Sequence, residues 1–439
     1  MSRLALLGGP SIIQPSGASS MDPWSYQDLE DAFVRYTGAR YALAVGSGTA
    51  ALISALVAVG VGPGDEVLTV AHTWIASVAA ILRCNAIPIF VDVDRRTFTM
   101  DVEDAARKIT PQTKAVLPVD LYGLPANIPA LMDLAHNRDL LVVEDACQSG
   151  GAEIHGKRVG SIAHLTAFSF SGKPLSGEGG GMLTTNDRLL YEKAMMAGQH
   201  RSLLTQRITD PELRRYVDFG GRGDNLRPHA ILAKAVLHDL TSADLRIDAR
   251  IKNCEYLSEK LSETGVITSP YVPPGYKHAY HMYTCLLDFE KVGVRRDLFL
   301  EALRAEGVPS TGYITHANFY FTGDGHPLPA EPIHLRTIFR EKDYYGRGCP
   351  FLCPHATRTP DYSPGSLPVT EWLADREFSL LQPTLSHPNG KREMQKIVDA
   401  VNKVLDCAEE LKSAESARFN HAGRHGSSAR SGGDTANSL

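Results

Sequence analysis

Between about residues 30 and 240, short apolar runs alternate with helical stretches, and this rhythm leaves few folds open. Tyr41–Val45, Glu66–Val70, Ile87–Val93, Ala115–Leu121 and Leu140–Glu144 each read as a short buried strand. Thr49–Gly60, Ile75–Cys84, Val102–Ile109 and Ala130–His136 lie between them with helical patterns. Parallel strands need long crossovers, usually helices. The alternation therefore predicts an α/β architecture, a mostly parallel sheet covered by helices. In such sheets ligands sit at the carboxyl ends of the strands.

The second half reads differently. A helical stretch from Ala230 to about Leu261 would bridge to another region. Tyr280–Asp288 reads as a strand, Asp297–Glu306 as a helix and Lys391–Leu411 as a final amphipathic helix. Residues 317–370 are rich in Pro, Gly, His and aromatics and predict long loops. From Ser413 onward almost no large apolar side chain remains, which predicts a disordered tail. At roughly 150 residues per domain, 439 residues make two or three. We place a large domain at 1–245, a smaller C-terminal α+β domain at 246–412 and the tail at 413–439.

The balance of charge narrows the partners. A formal net charge of −5 offers no basic excess for nucleic acid or anionic lipid. No apolar run approaches the roughly 20 residues that span a bilayer. The opening Met1–Pro10 reads poorly as a signal peptide. The expectation is a soluble, cytoplasmic protein. Seven sparse cysteines fit a reducing compartment. Only Cys349 and Cys353, with His355 nearby, resemble a metal pair, and no second pair at zinc spacing accompanies them. No metal is expected.

Four segments carry candidate chemistry. Ser47-Gly48-Thr49-Ala50-Ala51-Leu52 follows a strand and opens a helix, where free N–H groups favour an anion. Alone it reads better as a common cap and turn. Trp74 stands just past a strand end, where a lone tryptophan is ordinarily core. Asp145 ends the apolar run Leu140–Val143, placed to pair with a cation or to cap the next turn; Gln148 follows it. Lys173 lies between Phe168-Ser169-Phe170 and the turn Gly177-Glu178-Gly179-Gly180-Gly181. Any lysine is ordinarily solvated, but here the glycines would let the backbone pass close to a ligand.

Together these four match the needs of pyridoxal 5'-phosphate (PLP). That cofactor wants a lysine, a carboxylate opposite its ring nitrogen, phosphate donors and a flat side chain on the ring. In order and in context they resemble the DegT/DnrJ/StrS family of PLP-dependent sugar and cyclitol aminotransferases. The likeness runs over roughly residues 4–410. It takes in Gly60–Val67, Phe90–Asp94, Pro118–Pro125, Glu144–Gln148, Ser169–Gly180, Asn225-Leu226-Arg227 and Leu367–Glu371.

The resemblance implies PLP fold type I: a large domain with a mostly parallel seven-stranded sheet flanked by helices, and the smaller α+β domain. It implies that Lys173 forms the Schiff base and moves the protons. Asp145 would pair with the ring nitrogen, Gln148 would touch the phenolic oxygen, and Trp74 would stack on the ring. Gly48, Thr49 and Ser169 would bind the phosphate. Asn225 would reach the phosphate in a neighbouring subunit, which implies a homodimer with composite sites. The implied reaction moves an amino group from glutamate or glutamine to a keto-sugar nucleotide or keto-cyclitol.

The chain departs from the family pattern in four places. Pro10–Phe33 is short by about a helix and a loop. Lys173 stands one residue closer than usual to Ser169 and to Glu178. No acid follows Asn225-Leu226-Arg227. Asp120 stands where many members have His. The substrate-facing departures favour, as the alternative, a PLP enzyme acting on an amino acid: a cyclase, racemase, decarboxylase or carbon–carbon lyase. A non-catalytic regulatory protein on the same fold is disfavoured by the intact cofactor set, and a dehydratase of the family by the retained lysine. His278, His281, His316, His326 and His355 read as structural or solvated.

Overall fold

The computed structural model describes residues 26–314, 331–352 and 354–413. The tail expected from Ser413 falls outside them from residue 414, as do residues 317–330 of the predicted loops, Cys353 of the weighed metal pair, His316 and His326. Among the described residues no group of His, Cys, Asp and Glu is disposed to hold a metal ion.

A seven-stranded sheet organises the first region. Its strands are β1 (Tyr41–Val45), β2 (Glu66–Val70), β3 (Ile87–Val91), β4 (Thr113–Leu117), β5 (Leu141–Asp145), β6 (Leu165–Ser169) and β7 (Gly181–Thr185). Their spatial order is β1-β7-β6-β5-β4-β2-β3. β3, β2, β4, β5 and β6 run parallel, and β7 is antiparallel to both of its neighbours. So six strands share one direction and only β7 opposes them, as the mostly parallel expectation requires. β7 reverses because a hairpin, not a crossover helix, joins it to β6. Residues 170–180 form that hairpin loop, and Lys173 lies in it.

Helices α1 (Gln27–Thr37), α2 (Gly48–Ala58) and α3 (Ile75–Arg83) pack on this sheet. Every residue of α2 from Ala50 to Leu52 is buried. Strands β2 and β3 are buried along their whole length, as strands covered on both faces must be. The edge at β3 is closed by chain from far downstream. Phe90 makes edge-on ring contacts with Phe339 and Tyr362, and the Tyr362 hydroxyl donates to the Pro88 carbonyl at 2.6 Å. Arg358 pairs with the buried Glu66 at 2.5 Å. Covering an edge in this way removes a surface that would otherwise pair with other strands.

The expected bridging helix is in fact two, Ala230–Leu240 and Ala243–Ser262. They part at Thr241, whose hydroxyl turns back to the His238 carbonyl at 2.7 Å, and at Ser242, whose hydroxyl accepts from Arg246 at 2.6 Å. Such local hydroxyl bonds compete with the helical ladder. The second helix buries Ala243 and Ile247 against the first region, then Cys254, Leu257 and Leu261 in a separate core. That second core lies on an antiparallel sheet of β8 (Ile267–Thr268), β9 (Met282–Leu287), β10 (Ser310–Thr311) and β11 (Glu377–Leu381), ordered β8-β9-β11-β10. Helices Arg296–Ala305 and Lys391–Asp406 supply Phe299, Leu303, Met394 and Val401 to it.

Candidate active site

The carboxyl ends of β5 and β6, the start of α2 and the hairpin loop converge. Asp145 is the last residue of β5 and is buried. Its backbone is locked to the neighbouring connection: its N–H donates to the Pro118 carbonyl at 2.9 Å, and its carbonyl accepts from Asp120 N–H at 3.0 Å. The carboxylate is aimed by two donors. Ser77, in the first turns of α3, donates to Oδ2 at 2.7 Å, and the Cys147 N–H donates to Oδ1 at 3.2 Å. Thr73 holds Ser77 from behind at 3.0 Å. Two carboxylate oxygens offer about four acceptor sites, so capacity remains for a further N–H.

Gly48 opens α2 directly over this end of the sheet. A Cβ there would lie 2.7 Å from both Cys147 Sγ and Ser169 Cβ. Only glycine lets the helix start come so close to β5 and β6. Ser47 caps the helix by accepting from Ala50 N–H at 3.1 Å, and Thr49 follows in the first turn. Ser169 ends β6.

Lys173 is half-buried, and among the described residues it makes no ion pair. Burial holds its ammonium below the usual lysine range, against the pull of Cys147 and Asp145. Nζ lies 3.3 Å from Nε2 of His281, whose Nδ1 faces Gln382 Oε1 at 3.4 Å. Gln148 is buried and fixed at both ends: its Oε1 accepts from Tyr122 N–H at 2.8 Å, and Nε2 donates to the Tyr313 hydroxyl at 3.0 Å. Nε2 carries a second hydrogen.

Trp74 is 52% exposed at the residue preceding α3, against the expectation of a core position for a lone tryptophan. Asn225 is also exposed. Its neighbour Leu226 donates to the Gly198 carbonyl and accepts from Gly46 N–H at 2.7 Å, which ties the segment beside the β1–α2 connection. Asp145, Gln148, Lys173, Gly48, Thr49 and Ser169 are therefore brought together, while Trp74 and Asn225 are exposed.

Three further side chains belong to the site. Ser77 closes a stretch that begins at Ala71, and its position in the first turns of α3 is a signal for it. Tyr313 and His281 arrive from the second region, and no local pattern marks them. His281 is buried, as a structural histidine would be, but it touches the lysine.

Behind the site lies a cluster of acids. Asp120 and Glu144 are both fully buried. Asp120 accepts from Ser149 Oγ at 2.6 Å and Ala126 N–H at 2.9 Å; Glu144 accepts from Thr166 Oγ1 at 2.7 Å. Burial and then the charge of Glu144 raise Asp120 well above the carboxylate range, while burial pushes Glu144 up to about 7. A raised native pKa means that the folded protein keeps a proton the unfolded chain has lost. Stability is thus greatest below the unfolded pKa of about 4.5 and falls as pH rises to about 7, by about 1.4 kcal/mol per pH unit for one proton. Asp120→Asn should reduce that loss. Melting temperatures at pH 5 and pH 8 measure it; an equal drop in variant and parent would remove Asp120 from this pH dependence.

The set fits PLP. Gly48 leaves a cradle that a Cβ would fill, Asp145 keeps acceptor capacity, and Lys173 is unpaired by any carboxylate among the described residues. The sequence profile of the DegT/DnrJ/EryC1/StrS aminotransferase family matches residues 14–328. GDP-perosamine synthase of Caulobacter vibrioides is 39% identical over 285 residues, 64% of this chain and 74% of that protein. A UDP-N-acetyl-3-dehydro-alpha-D-glucosamine 3-aminotransferase of Acidithiobacillus ferrooxidans is 36% identical over 354 residues, 80% of this chain and 82% of that one. Among solved structures, DesV of S. venezuelae superposes with a TM-score of 0.70 at 28% identity, covering 87% of this chain and 89% of DesV.

Proposed function

The chain belongs to the DegT/DnrJ/EryC1/StrS aminotransferase family, and from that premise we propose that it moves an amino group from glutamate or glutamine to a keto-sugar nucleotide or a keto-cyclitol. The family and its relatives make it a PLP-dependent aminotransferase of PLP fold type I. The substrate class is our reading, supported by the sugar-directed names of the two relatives.

The observation that carries the reading is the convergence of Lys173, Asp145 and Gly48 at one end of the sheet. When bound, PLP supplies an electron sink at its protonated ring. Asp145 would keep a proton on the ring nitrogen, and Ser77 and the Cys147 N–H hold Asp145 in place for it. Gly48, Thr49 and Ser169 take the phosphate at the start of α2, where the helix dipole favours an anion. Gln148 would offer its second N–H to the ring's phenolic oxygen, and Trp74 would be the side chain to cover the ring. Lys173 Nζ would be the amine that holds the cofactor, and as a free amine it could accept and return a proton, base and acid in turn.

Asn225 completes the phosphate site of a partner subunit, so the working unit is a homodimer. The exposure of Asn225 and Trp74 in the single chain supports this. The domain division at residue 245 and a cytoplasmic location are part of the same proposal. No helix among the described residues is long and apolar enough to cross a membrane.

The test is a balanced transfer. Glutamate plus a nucleotide-linked ketosugar should give 2-oxoglutarate and the aminosugar in equal amounts, and a keto-cyclitol is the parallel assay. Loss of carbon dioxide, inversion or cleavage of one amino acid, without 2-oxoglutarate, would refute it.

A further inference from the structure

A lysine that alternates as base and acid must return its nitrogen to one place, and its side chain is long and flexible. A misplacement of about 1 Å can cost on the order of 10²-fold in rate. The loop that carries Lys173 is glycine-rich, with Gly172, Gly179 and Gly180 in the left-handed region, so the backbone alone constrains the side chain little. The second region supplies the constraint. His281 precedes β9, Gln382 follows β11, and both sides of the imidazole are engaged: Nε2 with Lys173 Nζ at 3.3 Å, Nδ1 with Gln382 Oε1 at 3.4 Å.

The direction of the relay follows from valence. An ammonium only donates, so Nε2 must present its lone pair. Nδ1 then carries the hydrogen, and Gln382 Oε1 accepts it. The second ring nitrogen is set by the bond the first one makes.

We propose that His281 is a positioning residue that holds the Lys173 side-chain nitrogen in register for proton transfer, with Gln382 setting the imidazole tautomer. This rests on Lys173 being the cofactor lysine.

The groups around the pair keep the ring neutral. Asp145 and Cys147 face Lys173 from the β5 end, and Arg250 faces His281 from its own helix. Burial, then Lys173, pushes His281 down to about 3, and Arg250 acts the same way. Burial likewise keeps the Cys147 thiol protonated. The contact is therefore an oriented hydrogen bond, and the proton stays on lysine. Arg250 is itself held by the Ala279 carbonyl at 2.8 Å and Ser386 Oγ at 3.0 Å.

The test compares His281→Leu with His281→Gln in the PLP-loaded protein. Leucine keeps the site dry but removes the acceptor. The ammonium then loses a stabilising bond, the lysine pKa falls, and the acid limb of the kcat–pH profile moves to lower pH. Turnover should drop about 10-fold or more. Glutamine restores an acceptor oxygen and should recover both kcat and the limb. The PLP–Lys173 linkage, fixed by borohydride and mapped by mass spectrometry, should persist in both variants. A leucine variant with that linkage and with parental kcat and pH profile overturns the proposal. Absence of the linkage from Lys173 in the parent overturns the cofactor reading and this proposal with it. Should the leucine variant not fold, Gln382→Leu carries the test. It frees the tautomer and should lower kcat in the same direction, and parental behaviour overturns the proposal.

Discussion

Lys173→Ala should lower amino transfer by about 10³-fold or more, because general acid–base catalysis and covalent attachment are lost together. The borohydride-fixed adduct should disappear at the same time. The fold should survive: the lysine is half-buried, makes no ion pair among the described residues, and sits in a hairpin loop rather than a strand. Burial already disfavours its charged form, so removing it costs little. Mass mapping after borohydride is the decisive measurement. An adduct that persists in the alanine variant places the cofactor on another amine.

The second large effect falls on Asp145. Asp145→Asn is nearly isosteric and can keep the Cys147 N–H on its oxygen while its NH2 donates to the Ser77 hydroxyl, but it cannot hold a proton on a ring nitrogen by charge. Loss of one aimed electrostatic group costs about 10²–10³-fold in turnover. The phosphate contacts are untouched, so PLP should still bind. Steady-state kcat beside cofactor content separates the two effects. A variant within about 3-fold of the parent would remove Asp145 from the cofactor role. Ser77→Ala should act in the same direction and more weakly, since Ser77 works only by orienting the carboxylate.

Both effects concern residues that could be picked out before any coordinates. The strand rhythm places Asp145 at a strand tip because the four apolar residues Leu140–Val143 read as a buried strand where helices alternate with such runs. Lys173 stood out because a cation between two aromatics and a glycine turn has little reason to be there. The phosphate end at Gly48 was legible as a helix start, but its reason was not. The close approach to Cys147 and Ser169 exists only when α2 lies across β5 and β6. Periodicity reads Ala230 to about Leu261 as one helical stretch, because the hydroxyl bonds at Thr241 and Ser242 that part it leave no mark on the periodicity.

Local sequence by itself determined the α/β class and the mostly parallel sheet, and it singled out Lys173 and Asp145 as candidates. Those follow from periodicity and from residue type at strand ends, which are short-range properties. Tertiary structure alone decided what surrounds the lysine. His281 lies 108 residues from Lys173, and Tyr313 lies 165 from Gln148. Glu377, which bonds both the Tyr122 hydroxyl and the Tyr313 and Ile314 N–H groups, comes from later still. These side chains meet because the second sheet packs its own core and presents its strand ends to the first. No spacing in the chain encodes a contact between two independently patterned regions.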